Sequence, residues 1–374
     1  MTSDGAAPRT RSMLRWTVTN AAVDVLGLRA GRRRTTAWVA GLMLGLLTTL
    51  VAGVGIGAFP VPAGTVAQVV AHHLMSWPAE RTWTAPVDAI VWQVRLPRVL
   101  LGALVGAGLA VCGVALQAMV RNMLADPYLL GVNSGASSGA AAAILFGMGA
   151  GFLEHALQVT AFLGALAASL LVFLVARTAG RVTSVRLLLA GVAVGYALYA
   201  LTSFLIFASG SAEGARSVMF WLLGSLGLAQ WNLPLAVVAV VVVGTVVLLT
   251  VWARRLDALA IGDETAHTLG VRPERFRLAL LVAVALCVGV VVSASGSIGF
   301  VGLVVPHLAR RAVGGRHVRV VVVAALMGAI LLVWADIVAR TLFAPQEIPI
   351  GIITSLVGAP FLLVLVRRLH ATSA

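Results

Sequence analysis

Apolar residues in this chain fall in unbroken runs, not in the alternation of a strand or the one-sided stripe of a surface helix. Ten runs stand out, at approximately 37–58, 97–118, 133–151, 156–176, 187–208, 233–252, 277–294, 298–313, 319–338 and 349–366. About 20 apolar residues in a helix cross the roughly 30 Å hydrocarbon core of a bilayer. There the backbone must satisfy its own hydrogen bonds, as a helix does. The pattern predicts an all-α integral membrane protein of about ten transmembrane helices. Leu235 to Val251 is the plainest run; the third and eighth are short and rich in glycine.

Composition supports that reading. The chain of 374 residues is 60% hydrophobic and only 11% charged, against about 25% charged in a soluble domain. All 27 basic residues are arginine, so a Walker-type phosphate loop, which needs its lysine, is excluded. The net charge of +14 does not point to nucleic acid, because its arginines flank apolar runs. With the N-terminus inside, 22 of the 27 arginines fall on the inner side, as the positive-inside rule requires. Both termini are then cytoplasmic. Residues 1–36 read as a basic cytoplasmic tail without a convincing cleavage site, and 37–368 as one polytopic domain. Cys112 and Cys287 lie inside apolar runs and read as small core residues.

Four polar constellations interrupt the runs. Arg95-Leu96-Pro97-Arg98 opens the second span on the outer side, with Pro97 suited to a first helical turn and Arg95 and Arg98 three residues apart. Asp336 and Arg340, four apart at the outer end of the ninth span, can pair on one helix face. Residues 254–275 are too polar to cross, yet Leu256, Leu259, Ile261, Ala266 and Leu269 form an apolar face. Asp263 suits an N-cap and Gly270 a C′ position, so 264–269 is expected to be a short helix. Pro306-His307 ends this set. No metal site is expected, because His72 and His73 are adjacent and His307 has no second ligand at metal spacing. No catalytic triad or carboxylate pair is visible, so no cofactor and no catalytic residue are expected.

Taken in order, these segments resemble the FecCD permeases, the membrane subunits of type II ABC importers for ferric siderophores, haem and cobalamin. The resemblance rests on Arg95-Leu96-Pro97-Arg98, Gly106 through Gln117 to Gly131, Leu187 to Gly191 and Trp221 to Leu226. It continues through Leu269-Gly270-Val271, Gly299 to Arg310, Asp336 to Arg340, Glu347 to Gly351 and Gly358-Ala359-Pro360. It implies ten helices per subunit in the plasma membrane of a bacterium and a second permease subunit, identical or related. It also implies two ATP-binding cassette subunits and an extracytoplasmic binding protein. By the same resemblance, Arg95, Arg98 and Arg340 receive acidic side chains of the binding protein. Leu256, Leu259, Gly262, Asp263, Glu264, Ala266, Leu269 and Gly270 belong to the element that rests on the ATPase. Thr183 and Ser184 are nearest to the cytoplasmic gate. Met123 departs from the family's usual proline, and the basic tail lies outside the resemblance.

The implied function is ATP-driven import of an iron chelate, ferric siderophore first and haem or cobalamin after it. The rival reading is an ion-coupled secondary transporter. Such carriers place carboxylates or histidines at mid-membrane, and here the spans hold almost none.

Overall fold

The computed structural model describes residues 28–177 and 183–371. Arg181 and tail residues 1–27 lie outside the described residues. The rest of the tail is already helical: α1 runs Leu28–Gly55 without a break, so the expected boundary at residue 36 falls inside a helix. After α2 (Ala63–Met75) comes α3 (Ala85–Ala89), which continues through a π-helical turn, Ile90–Arg95, into α4 (Leu96–Val120). A 3₁₀ turn, Pro127–Leu130, leads to α5 (Val132–Phe146), and a second, Ala150–His155, to α6 (Ala156–Ala176). Then follow α7 (Ser184–Ser209), α8 (Ala212–Leu222) and α9 (Leu233–Val251). α10 (Ala253–Ile261), α11 (Asp263–Thr268) and α12 (Pro273–Ser295) come next, and α13 (Val301–Val313), α14 (His317–Thr341) and α15 (Ile350–Ala371) complete the described residues.

Among the described residues, seven helices are long and apolar enough to cross a bilayer: α1, the continuous 85–120 helix, α6, α7, α9, α12 and α14. α5 and α13, with 15 and 13 residues, are shorter than a full crossing, and the apolar part of α15 is Ile350–Leu365. These ten helices occupy the positions of the ten apolar runs.

Pro97 does not open the second span, contrary to expectation, because the helix starts at Ala85. Proline inside a helix removes one donor, and the π turn absorbs the defect: Leu96 N–H bonds to Val91 O, five residues back. In that register Trp92 O would await the N–H that Pro97 lacks. The indole N–H of Trp231 donates to it instead, at 2.6 Å.

α4 is the buried axis of the molecule, packed along α14, α9, α12 and α13. Lipid offers no hydrophobic drive for association, so membrane helices gain by close approach over small residues. Gly106 of α4 and Gly328 of α14 meet backbone to backbone, and a methyl group on either would overlap the other's carbonyl. Cys112 and Cys287 are buried and free.

Helix ends gather on two opposite faces. On the tail face, where α1 begins, the ends of α4 and α13 meet the starts of α12 and α14 and the α10–α11 elbow. On the other face lie the end of α1, α2, α3 and the end of α14. Between the faces three irregular segments meet and satisfy one another: Ser225 N–H donates to Ser295 O at 2.8 Å, Ile350 N–H to Gly224 O at 3.2 Å and Gly351 N–H to Leu223 O at 3.0 Å. The Tyr128 hydroxyl accepts from Ile298 N–H and donates to Ile298 O, each at 2.9 Å. Non-helical backbone at membrane depth is tolerated where protein encloses it.

Candidate functional site

The face opposite the tail carries three arginines that the sequence groups, and the fold brings all three together around the end of α1. The last carbonyls of a helix have no partner within it, and cations suit that end of the helix dipole. Arg95 Nη1 donates to Val54 O at 2.9 Å and Gly55 O at 3.1 Å, and its Nη2 to Phe59 O at 2.6 Å. Arg340 Nη2 donates to Gly53 O. Both arginines are buried, and their first structural role is to cap α1.

Arg98 points the other way. Its Nη2 lies 2.9 Å from Asp336 Oδ1, its Nε 3.0 and 3.2 Å from the two carboxylate oxygens, and its Nη1 2.9 Å from Glu347 Oε1. The expected Asp336–Arg340 pair exists but is the looser contact, 3.4 Å from Nε to Oδ2. Asp336, whose side chain is 2% exposed, therefore serves two guanidinia, while Glu347 is 49% exposed. Asp336 is thus held in ion pairs, unlike the free acids of ion-coupled carriers. Glu347 was in view within its motif but was given no role; its partner is 249 residues away. Above the cluster opens a cavity of about 620 Å³, where Glu213 and Arg216 of α8 face Arg98 and Glu347.

An aromatic brace closes the same face. His73 stacks on Trp92 at 4.2 Å and bonds to Asp88 at 3.0 Å, and Trp83 Nε1 donates to the other Asp88 oxygen at 2.8 Å. His72 Nδ1 is taken up with Pro78 O at 2.8 Å.

On the tail face the predicted coupling stretch is a two-helix elbow, α10 and α11. Its apolar residues do not form the single apolar face expected of them. Leu256, Leu259 and Ala266 are fully buried in the chain's own core, while Leu269 and Ile261 stand 63% and 69% exposed. Asp263 is not the N-cap either: Gly262, at φ 157°, precedes α11. The Asp263 carboxylate instead takes both ends of the Arg277 guanidinium, at 2.7 and 3.0 Å. Arg277's hydrogen bonds hold that carboxyl below its ordinary pKa against the opposing effect of burial. Arg277 Nε in turn reaches Met119 O at 3.5 Å, which ties the elbow to the end of α4. Gly270 does sit at positive φ, 77°, and ends α11 as expected. Glu264, His267 and Thr268 face outward with Leu269. Asp257 fixes the other side of the elbow by accepting from His317 N–H at 2.9 Å, with the His317 ring Nδ1 at 2.7 Å. Burial opposes ionisation of Asp257, and the bonds from His317 outweigh it and hold its pKa down.

Thr183 caps α7, its hydroxyl accepting from Arg186 N–H at 3.4 Å. The side chain of Ser184 and residues 178–182 lie outside the described residues. Near Met123, Asn122 Oδ1 accepts from Leu124 N–H at 2.9 Å, an Asx turn in place of a proline. Asp126 caps the following 3₁₀ turn, and burial pushes its pKa up to about 6 despite the bond from Tyr128 N–H. Gln117 accepts from Arg310 Nη1 at 2.6 Å and joins α4 to α13. The sequence offered Gln117 and Arg310 only as motif ends, with nothing to pair them.

Comparison with known proteins agrees with this geometry. The FecCD transport family model matches residues 44–368. A cobalamin import system permease of Halobacterium salinarum is 40% identical over 370 residues, covering 91% of this chain and 98% of the relative. A hemin transport system permease of Yersinia pestis is 39% identical, covering 87% and 96%, and an Fe(3+)-citrate import permease of Bacillus subtilis 38%, covering 75% and 81%. Among solved structures, an inward-facing metal-chelate-type ABC transporter superposes with a TM-score of 0.76 at 34% identity, over 88% of this chain and 98% of that one. This chain therefore belongs to the FecCD transport family: it is a membrane permease subunit of an ABC importer and not an enzyme, with ATP hydrolysis left to a separate subunit.

Proposed function

We propose that the chain forms the pathway half of an importer for a metal chelate, with an iron chelate as the cargo. The family match over residues 44–368 carries this reading, and the hemin and Fe(3+)-citrate relatives favour iron. The cobalamin relative makes a corrinoid the second reading. In this arrangement α5, α13 and α15 complete a set of ten membrane helices, and the tail face is cytoplasmic. A second permease subunit, two ATPase subunits and an external binding protein complete the assembly.

The Arg95–Arg98–Arg340 cluster is the docking patch for acidic side chains of the binding protein. Arg98 is its exchangeable member, because its contact with half-exposed Glu347 can be traded for a partner's carboxylate. The elbow meets the ATPase through Ile261, Glu264, Leu269 and Gly270, while Leus 256 and 259, Ala266 and the Asp263–Arg277 pair transmit the push to α4 and α12. Thr183 and Ser184 stand at the inner gate. Transport then needs each state to bind ATP and binding protein differently, and no covalent chemistry in this chain.

The test is uptake into proteoliposomes holding this permease, its ATPase and its binding protein, with labelled ferric siderophore, haem and cobalamin offered in parallel. ATP-dependent accumulation of an iron chelate is expected. Accumulation of cobalamin alone would move the cargo to the second reading. Accumulation driven by a proton gradient without ATP would refute the assignment.

A further inference from the structure

Residues 32–40 of α1, ahead of the family match at residue 44, present an exposed basic groove with no part in docking or coupling. We infer that Arg32 and Arg33 bind the phosphate headgroup of an anionic phospholipid, whose acyl chain runs down the exposed face of α1. With the small residues Thr36, Ala37 and Ala40, the two arginines line a shallow cavity of about 550 Å³. Both are exposed. One to two turns further along, Met43, Leu44 and Leu47 are 55%, 64% and 60% exposed, so acyl-facing surface follows directly on cationic surface.

Charge argues for an anion. Arg34 Nη2 donates to Arg311 O at 3.0 Å, and a methyl group on Gly31 would stand 2.6 Å from Arg319 Nη1. Arginines of α1, α13 and α14 thus crowd one corner. Among the described residues none of Arg32, Arg33, Arg311 or Arg319 has an ion-pair partner. The carboxylate on this corner, Asp257, is taken up by His317.

Depth argues for a lipid over a soluble anion or polymer. The 28 residues of α1 span about 42 Å at 1.5 Å each, some 12 Å more than a bilayer core of about 30 Å. With the far end capped by Arg95 and Arg340, the surplus falls at Leu28 to Arg34, at headgroup level. A nucleic acid or acidic peptide would satisfy the guanidinia but not the apolar face beside them. Basic residues next to a membrane helix are the recognised attractors of anionic lipid. The inference holds for either orientation of the chain and is independent of its cargo.

The experiment places the full chain in phosphatidylcholine liposomes with a minor fraction of a photoactivatable phosphatidylglycerol, or of a matched photoactivatable phosphatidylcholine, and maps the labelled peptides. Phosphatidylglycerol is expected to label 36–47 well above its bulk share. Arg32→Gln with Arg33→Gln should cut that excess by about 25-fold, at about fivefold per arginine near an anionic surface, while Arg32→Lys with Arg33→Lys keeps most of it. Equal labelling by the two lipids, or an excess that survives the glutamine pair, would overturn the inference.

Discussion

Replacing Asp336 by asparagine keeps the side chain's shape and removes one charge from the middle of the arginine cluster. In the parent chain that carboxylate lies 2.9 Å from Arg98 and 3.4 Å from Arg340, with a side chain only 2% exposed. At an effective dielectric of about 20, those separations correspond to roughly 6 and 5 kcal/mol of attraction before desolvation is subtracted. Measured losses on removing one partner of a buried pair are about 3–5 kcal/mol, since the other charge stays buried and uncompensated. Arg98 retains Glu347, but an ion pair with a half-exposed carboxylate adds only about 0–1 kcal/mol. The expected loss for Asp336→Asn is therefore about 3 kcal/mol, or a hundredfold in the folding equilibrium. The readout is the midpoint of a heating series on detergent-purified protein, followed as surviving monodisperse material by gel filtration. For a chain of 374 residues a fall of roughly 4 °C is expected, whereas Glu347→Gln should move the midpoint by at most about a degree. Adding Arg340→Gln to Asp336→Asn removes the orphaned charge while still offering a donor to Gly53 O, and should recover about 1–2 kcal/mol. An Asp336→Asn protein as stable as its parent, or no more affected than Glu347→Gln, would refute the view that this carboxylate holds the cluster together.

Two further outcomes concern the elbow and Asp126. Ile261→Ser with Leu269→Ser alters side chains that are 69% and 63% exposed, so thermal stability should hold while ATP-driven uptake falls at least about tenfold, given an apolar contact worth about 1.5 kcal/mol or more; Leu256→Ala, at a fully buried position, should instead cost about 2–5 kcal/mol of stability. Asp126, with its pKa raised to about 6 from an unfolded value of about 3.9, contributes stability that is complete below the unfolded value and lost as pH rises through 6. Asp126→Asn keeps an acceptor for Tyr128 N–H, so the variant should match the parent near pH 4 and exceed it at pH 7.5; melting curves that stay parallel across that range would contradict the sign.

The sequence disclosed most where the environment is uniform. α9 is exposed along much of its length, so its run of valines and leucines marked the helix almost residue for residue. α13 is different. The 298–313 run starts three residues before the helix at Val301, because Gly296 at φ 67° and Phe300 at φ 68° belong to the irregular node that joins Gly224, Ile298 and Ile350. Hydropathy does not register backbone direction, so that node was invisible. The start of the second span was hidden for another reason: Pro86 sits harmlessly in a first turn, and the cost of Pro97 is absorbed by a π turn and by a tryptophan 139 residues away.

The charged sites were legible as places and not as partnerships. Three outer arginines stood out against an inner-side bias, but only the fold shows that Arg95 and Arg340 are committed to the carbonyls of α1. That leaves Arg98 as the guanidinium whose second contact is half-open to solvent. On the proposed docking, a binding protein's acid competes with Glu347 for Arg98 and leaves Asp336 untouched, because exchanging the exposed carboxylate exposes no buried charge. The elbow obeys the same logic. Its apolar residues were read as one face, yet they divide between the chain's own core and the exposed side, and sequence alone does not say which leucines belong to which. Leu256 and Leu259 turn inward and Ile261 and Leu269 outward because Asp263 and Asp257 pin the elbow to Arg277 and His317. The orientation of the elbow's exposed side is thus set by ion pairs formed 14 and 60 residues away, a distance at which neither propensity nor hydrophobic period carries information.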